Sequence, residues 1–299
     1  MGKNLPSNSV WQNARLELIH RFGPEGGCSP RSGEAGSRPD STAWACLALA
    51  DGEDTLTSVQ KARDYLATKQ SEDGRVCLME ETPDAYWPTS LAILAWTGSE
   101  NHSRAMQKAA HFLLQNTGRH FPRQSNSPVG HDTALRGWPW VAKTHSWVEP
   151  TSLAMIALNQ CGFSQHERVT EASLMLMDRQ LPKGGWNYGN TTMYGAVLEP
   201  FPQTTAVALS ALAGRVKPSN VVHSLSYLQK QAPTLRTPLS LAWAILGLSA
   251  WNMRPGLAET WLTKCLGYQE RIGSYETESL SLLCLAASGS VSCFGKSGL

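Results

Sequence analysis

Two carboxylates, Asp40 and Glu149, stand at the head of short Thr-led runs, DSTAWACLAL from Asp40 and EPTSLAMIAL from Glu149. A carboxyl at such a place has two uses. Facing water at a helix start it caps orphan backbone N–H groups, and the helix dipole keeps it ionised. Held away from water its pKa rises and it becomes a proton donor. Aromatic faces attract cations, so rings gathered near such a carboxyl would favour developing positive charge. The chain holds 11 Trp residues, with Trp44, Trp96 and Trp243 inside runs of the same kind and Trp87 and Tyr275 at the head of two others.

The run recurs six times, adding WPTSLAILAW from Trp87, PQTTAVALSAL from Pro202, TPLSLAWAILGL from Thr237 and YETESLSLLCLA from Tyr275. Ala and Leu favour helix, and each run opens on a capping residue or a first-turn Pro. The runs are apolar nearly all round, which marks helices buried on more than one side. Charged amphipathic segments alternate with them at 58–70, 103–115, 168–180, 219–231 and 257–269, each ending in Gln. After several of these Gln residues come a Gly turn and an aromatic, as in Gln180, Gly185 and Trp186 or Gln269, Gly273 and Tyr275.

This alternation predicts an all-α fold, an α/α toroid of about six concentric helix pairs, with 9–19 as the sixth outer helix. An open α-solenoid obeys the same local rules. The spacing of the inner runs, roughly 35 to 62 residues, suits a closed ring with loop insertions better. The expected organisation is an N-terminal helix and loop at 1–39, the toroid at 40–287 and a flexible tail at 288–299. Two residues before each repeat Thr stand Asp40, Trp87, Glu149, Pro202, Thr237 and Tyr275, so an acid occupies two of the six places.

Two long connections, 119–148 and 183–201, lead into inner-run starts and are therefore expected over one mouth of the ring as a lid. The first carries Trp138, Trp140 and Trp147 and the second Trp186 and Tyr194. With Trp44, Trp87, Trp243 and Tyr275 they form the expected substrate-binding set. Arg123, Arg136 and Lys143 in the first connection would suit an anionic head group.

Composition narrows the function. A net charge of +2 without a basic run excludes a nucleic-acid binder. No apolar stretch is long enough to span a membrane, and peripheral contact remains compatible with the sequence. MGKNLPSNSV lacks an apolar leader, and Pro6 departs from the myristoylation pattern, so a cytoplasmic location is expected. Seven scattered Cys read as buried thiols. His131, Asp132, His145 and Glu149 are metal-ligand types in loop context, but no Cys-x-x-Cys or Asp-x-Cys occurs, and neither a metal nor a cofactor is expected.

The Gln, Gly-turn, aromatic units with inner runs such as QTTAVALSAL and DSTAWACLAL resemble the prenyltransferase and squalene oxidase repeats of the terpenoid cyclase family, squalene-hopene cyclases included. The resemblance spans about 40–287. It implies a class II cyclase, in which an Asp of a DxDD or DCTAE motif protonates an alkene or epoxide. Asp40-Ser41-Thr42-Ala43 is similar to the D-x-T-A core, which would make Asp40 the general acid; Glu149, the other acid found by aligning the repeats, is the alternative. Arg38 and Ser41 stand where the outer acids of DxDD would be, and an epoxide suits the acid better than an alkene. The resemblance also implies a hydrophobic isoprenoid-like ligand and, from two-toroid relatives, a second toroid chain as partner. Two other functions fit the same fold: a non-catalytic toroid binding a lipid, isoprenoid or protein, and a prenyltransferase-like transferase.

Overall fold

Every residue from Pro39 to Leu49 is buried, and so is every residue from Pro88 to Trp96. Helices without a polar face must be surrounded by others, and the computed structural model, which describes residues 9–124 and 127–289, shows how. The helices are α1 (Ser9–Ile19), α2 (Pro39–Leu49), α3 (Leu56–Thr68), α4 (Pro88–Trp96), α5 (Ser103–Gln115), α6 (Val148–Gln160), α7 (Glu167–Asp178), α8 (Pro202–Leu212), α9 (Pro218–Gln231), α10 (Pro238–Ala250), α11 (Ala258–Gly267), α12 (Gln269–Ile272) and α13 (Thr277–Ser288). The inner helices pack in the cyclic order α2, α4, α6, α8, α10, α13 and back to α2. The outer helices α3, α5, α7, α9, α11 and α1 pack on them in turn. The fold is an all-α, α/α toroid. One hairpin, β1 (Thr192–Met193) with β2 (Ala196–Val197), interrupts the helices.

Closure joins the chain's two ends. Arg21, buried after α1, donates to Thr277 Oγ1 at 2.9 Å and to the Tyr275 carbonyl at 2.8 Å. The Thr277 N–H donates to the Pro30 carbonyl at 2.8 Å and its hydroxyl to the Ser29 carbonyl at 2.6 Å. Across the ring wall α8 and α10 touch at Gly247, where a Cβ would lie 2.8 Å from the Ala206 carbonyl oxygen. A larger residue there would push two inner helices apart.

The repeated residues are ties between layers. A first-turn Thr of the inner helix accepts the backbone N–H of the preceding segment: Cys28 to Thr42, Val76 to Thr89, Trp138 to Thr151 and Trp186 to Thr205, all at 2.8–2.9 Å. The aromatic after the Gly turn then reaches back to the end of the previous outer helix. Trp138 donates its ring N–H to the Leu113 carbonyl, Trp186 to the Leu176 carbonyl, and the Tyr275 hydroxyl to the Cys265 carbonyl. The Gln side chains reach forward, Gln70 to the Ala105 carbonyl and Gln180 to the Ser224 hydroxyl.

Inner helices open on Pro39, Pro88, Pro202 and Pro238 rather than on side-chain caps. Asp40 lies inside α2, after Arg38 at the N-cap, and makes no cap hydrogen bond. Cys28, Cys265 and Cys284 are buried free thiols, and Cys46 is buried in the core. Cys293 and nearly all of the expected tail lie outside the described residues. No helix among the described residues is long and apolar enough to cross a membrane.

Replacing Thr205 by Val removes the acceptor of the buried Trp186 N–H. The variant is expected to lose about 1–3 kcal/mol in urea unfolding, while Thr205→Ser keeps most of the stability. An unchanged midpoint in Thr205→Val would contradict the tie.

Candidate active site at the mouth of the ring

The first backbone N–H to bond four residues back marks the start of each inner helix. It belongs to Thr42 in α2, Thr151 in α6, Thr205 in α8, Leu241 in α10 and Leu280 in α13. Two positions earlier stand Asp40, Glu149, Gln203, Leu239 and Glu278, and α4 presents Trp87 at its N-cap. The sequence repeat, aligned on Thr, placed Pro202, Thr237 and Tyr275 at the last three places. In α8 the tying residue is Thr205 rather than Thr204, Thr237 is an N-cap, and Thr277 is itself the first helical residue. A third acid, Glu278, therefore joins the mouth.

Two of the three acids have their pKa values raised into the neutral range. Glu149 is crowded by protein on nearly every side while keeping partial contact with water; burial raises its pKa to about 7, against a smaller lowering by the Gln203 amide, which donates at 3.3 Å. Glu278 lies in a similar crevice and is raised to about 8, chiefly by burial and then by the charges of Glu149, Asp40 and Glu276, with Arg38 opposing. The influence of Glu149 and Asp40 on Glu278 puts the three carboxyls near one another. Converging helix N-termini favour ionised carboxyls, so desolvation outweighs the dipole at Glu149 and Glu278. Asp40, 3% exposed, is engaged by Arg38 in a two-bond pair, Nε to Oδ1 at 2.9 Å and a terminal nitrogen to Oδ2. An acid so engaged is a counter-ion rather than a proton source.

One turn below Asp40 is Trp44, and one turn below Leu239 is Trp243. Helices α2 and α10 are not ring neighbours, yet these indoles meet edge to face at 6.0 Å, each 1% exposed. They therefore meet inside the ring and floor the mouth, instead of walling a deep open channel. Above them Trp87 and Trp140 stand edge to face at 5.3 Å, both half-buried. Trp147, the N-cap of α6, is half-buried beside them in sequence.

Other expected ligand residues have structural places. Trp138 and Trp186 are buried ties to the outer helices, and Arg168 lies 4.7 Å over the Trp138 ring. Tyr275 is buried with its hydroxyl bonded to Cys265. Tyr194 turns the β hairpin, 85% exposed. Arg136 is bound to Glu171 at 2.8 Å, and Arg123 and Lys143 are exposed. The two connections are joined to each other: the Gly130 N–H donates to the Thr192 carbonyl and Tyr194 N–H to the Pro128 carbonyl. No group of three His, Cys, Asp or Glu side chains among the described residues is placed to hold a metal.

No protein-family model matches the chain, and no curated protein sequence matches it. Solved structures do. The type II terpene cyclase MstE from Scytonema superposes with a TM-score of 0.62 at 14% identity, over 96% of this chain and 98% of that one. This chain has a terpenoid-cyclase-like toroid fold. The GH76A α-1,6-mannanase from Salegentibacter sp. superposes with a TM-score of 0.66 at 11% identity, over 95% of this chain and 98% of that one. A protein from Actinoplanes gives 0.63 at 14%, over 95% and 98%. One toroid thus carries two unrelated chemistries, and the fold alone does not choose between them. The cyclase also shows that a single toroid of nearly the same extent makes up such a chain.

Raised carboxyl pKa values make stability depend on pH in a fixed direction. An unfolded Glu releases its proton near its ordinary 4.5, whereas folded Glu149 and Glu278 keep theirs to about 7 and 8. Stability from these groups is therefore complete below about pH 4.5 and is lost as pH rises through 7 to 8. Urea unfolding at a series of pH values should show the Glu149→Gln, Glu278→Gln double variant gaining on wild type between about pH 5 and pH 9. Parallel profiles would rule out the shift.

Proposed function

We propose that this protein is an acid-initiating enzyme of the class II terpene-cyclase kind, acting on a polyisoprenoid or its epoxide, with Glu149 as the proton donor. The supporting observation is a carboxyl neutral to about pH 7 in a mouth flanked by aromatic rings. Protonated Glu149 gives its proton to the epoxide oxygen, the ring opens to a tertiary cation, and neighbouring double bonds attack it in turn. Loss of a proton from the final cation restores the acid, so the reaction is an isomerisation that consumes no co-reactant. The ion pair of Asp40 with Arg38 supplies a fixed carboxylate for the developing charge, and Trp87 and Trp140, packed edge to face on one another, are the aromatic rings proposed to stabilise it. Glu278 shares the crevice with Glu149 and is placed to return its proton. Asp40, the expected donor by family resemblance, takes the electrostatic role instead because Arg38 holds it. The ligand class agrees with what the similar cyclase binds, geranylgeranyl dihydroxybenzoate.

A second reading is favoured by one feature: two carboxyls of different environment facing a shared crevice are also what glycoside hydrolysis requires. The polar Gln203 beside Glu149 and the similarity to a mannanase fit it.

Purified protein would be incubated with squalene, oxidosqualene, geranylgeranyl diphosphate and, separately, α-1,6-mannotriose, the sugar bound to a variant of that mannanase. The expected outcome is a cyclised product from an isoprenoid, reduced about a hundredfold or more by Glu149→Gln. Asp40→Asn is expected to slow the reaction less than Glu149→Gln does. Product formation unaffected by Glu149→Gln, or mannotriose cleavage without any cyclisation, would overturn the proposal. Tight retention of an isoprenoid without turnover would identify a binding protein instead.

A further inference from the structure

Between the two long connections lies a cavity, about 260 Å³, walled in part by Trp147, two residues before Glu149. Its ionisable lining is Arg119, His131, His145 and Arg179, with no carboxylate among the lining residues. Arg119 and His145 are exposed at the entrance, while His131 and Arg179 are 7% and 6% exposed. The guanidinium of Arg179 gives one hydrogen bond, to the Ser146 carbonyl, and its Nε has no partner. The Nδ1 of His131 is also buried without one. Gly189 makes room for this guanidinium: a Cβ there would lie 3.0 Å from its terminal nitrogen, and the backbone at φ +148 disfavours any side chain.

A buried guanidinium that lacks a counter-ion is costly, and a buried polar nitrogen without a partner adds to the cost. Acids do occur nearby. Asp178 interacts with Arg179 through space, but its Oδ2 accepts the Asp132 N–H at 2.7 Å, and no ion pair to Arg179 forms among the described residues. Asp132 Oδ1 in turn accepts the Ala134 N–H. Both carboxylates are thus engaged with backbone donors, and the floor of the cavity keeps unspent donors and positive charge. The space is several times the roughly 30 Å³ that one water occupies in the liquid.

We propose that this cavity is an oxyanion site, taking a phosphate or diphosphate group, free or as the head of a small molecule, with Arg179 and His131 at its floor and Arg119 and His145 at its entrance. Phosphate oxygens match the donors of a guanidinium, and exposed cations at the entrance draw an anion inward. The site stands on its own geometry and holds whether or not the mouth is catalytic. These residues differ from Arg123, Arg136 and Lys143 of the same connection, which are exposed or already paired with Glu171.

His131 provides an internal reporter. Burial, Arg179 and His145 hold its pKa down to about 4, with Asp132 pulling weakly the other way. A bound oxyanion reverses that balance, so its pKa rises on binding and affinity grows as pH falls.

The test is calorimetric titration of the intact chain with inorganic phosphate, inorganic diphosphate and geranylgeranyl diphosphate, alongside an NMR titration of His131. Saturable binding of at least one of them is expected, weaker at higher salt, with the His131 pKa moving up at saturation. Arg179→Gln should weaken binding about ten- to a hundredfold, and the entrance variant Arg119→Gln should weaken it less with an unchanged unfolding midpoint. Equal affinity for inorganic and prenyl diphosphate would show that the group alone is read. Tighter binding of the prenyl form, still lost in Arg179→Gln, would show a site that reads the group on a lipid. The proposal is overturned if none of the three binds, or if folded Arg179→Gln and Arg119→Gln both bind like wild type. Neither result would touch the assignment of Glu149, which cyclisation assays decide separately.

Discussion

Six helices with no polar face can be buried only by one another, and closing them into a ring is what makes the rest of this structure possible. The N-terminal residues, Arg21 with Ser29 and Pro30, grip Thr277 and Tyr275 near the C-terminal end and so put α13 beside α2. Closure brings six helix starts to one mouth. Whatever stands at the second position of those helices is then forced into shared space. Two of the three acids found there have pKa values raised by burial, and the third is paired with Arg38.

The balance of forces at the mouth is unusual in sign. Helix N-termini are positive and hold carboxylates ionised in most settings. Here the ring that aligns those dipoles also excludes water, and three acids in one crevice repel each other once charged. Desolvation acts against the dipole at both glutamates, and like charge adds to it at Glu278. The same closure packs Trp44 edge to face on Trp243 one turn below the helix starts.

Much of the fold was legible in the sequence because its repeats are physical ties. Thr42, Thr89, Thr151 and Thr205 recur because each accepts a backbone N–H from the segment before it. Even the outer helix at 9–19 and the inner helix starts followed from caps, prolines and apolar runs. The site was only half legible. Glu149 and Asp40 emerged from the repeat, but Glu278 stayed hidden because Thr277 lies three residues ahead of the residue that sets the backbone register of α13. Trp138, Trp186 and Tyr275 read as ligand-facing aromatics, whereas ring N–H and hydroxyl groups need partners when buried and found them on the outer helices. Side-chain direction, which decides between these roles, is set by tertiary neighbours that no local pattern encodes. The charged cavity around Arg179 and His131 draws its walls from segments far apart in sequence, which is why its lining escaped any motif.

The central claim is that Glu149 keeps its proton to neutrality because the closed ring desolvates it. A site-resolved NMR titration of the Glu149 side-chain carboxyl, assigned by comparison with Glu149→Gln, measures this directly. A Glu149 midpoint near 7, with a Glu278 midpoint that falls when Glu149→Gln removes the neighbouring charge, is the result predicted. A midpoint at the ordinary carboxylate value would contradict the account.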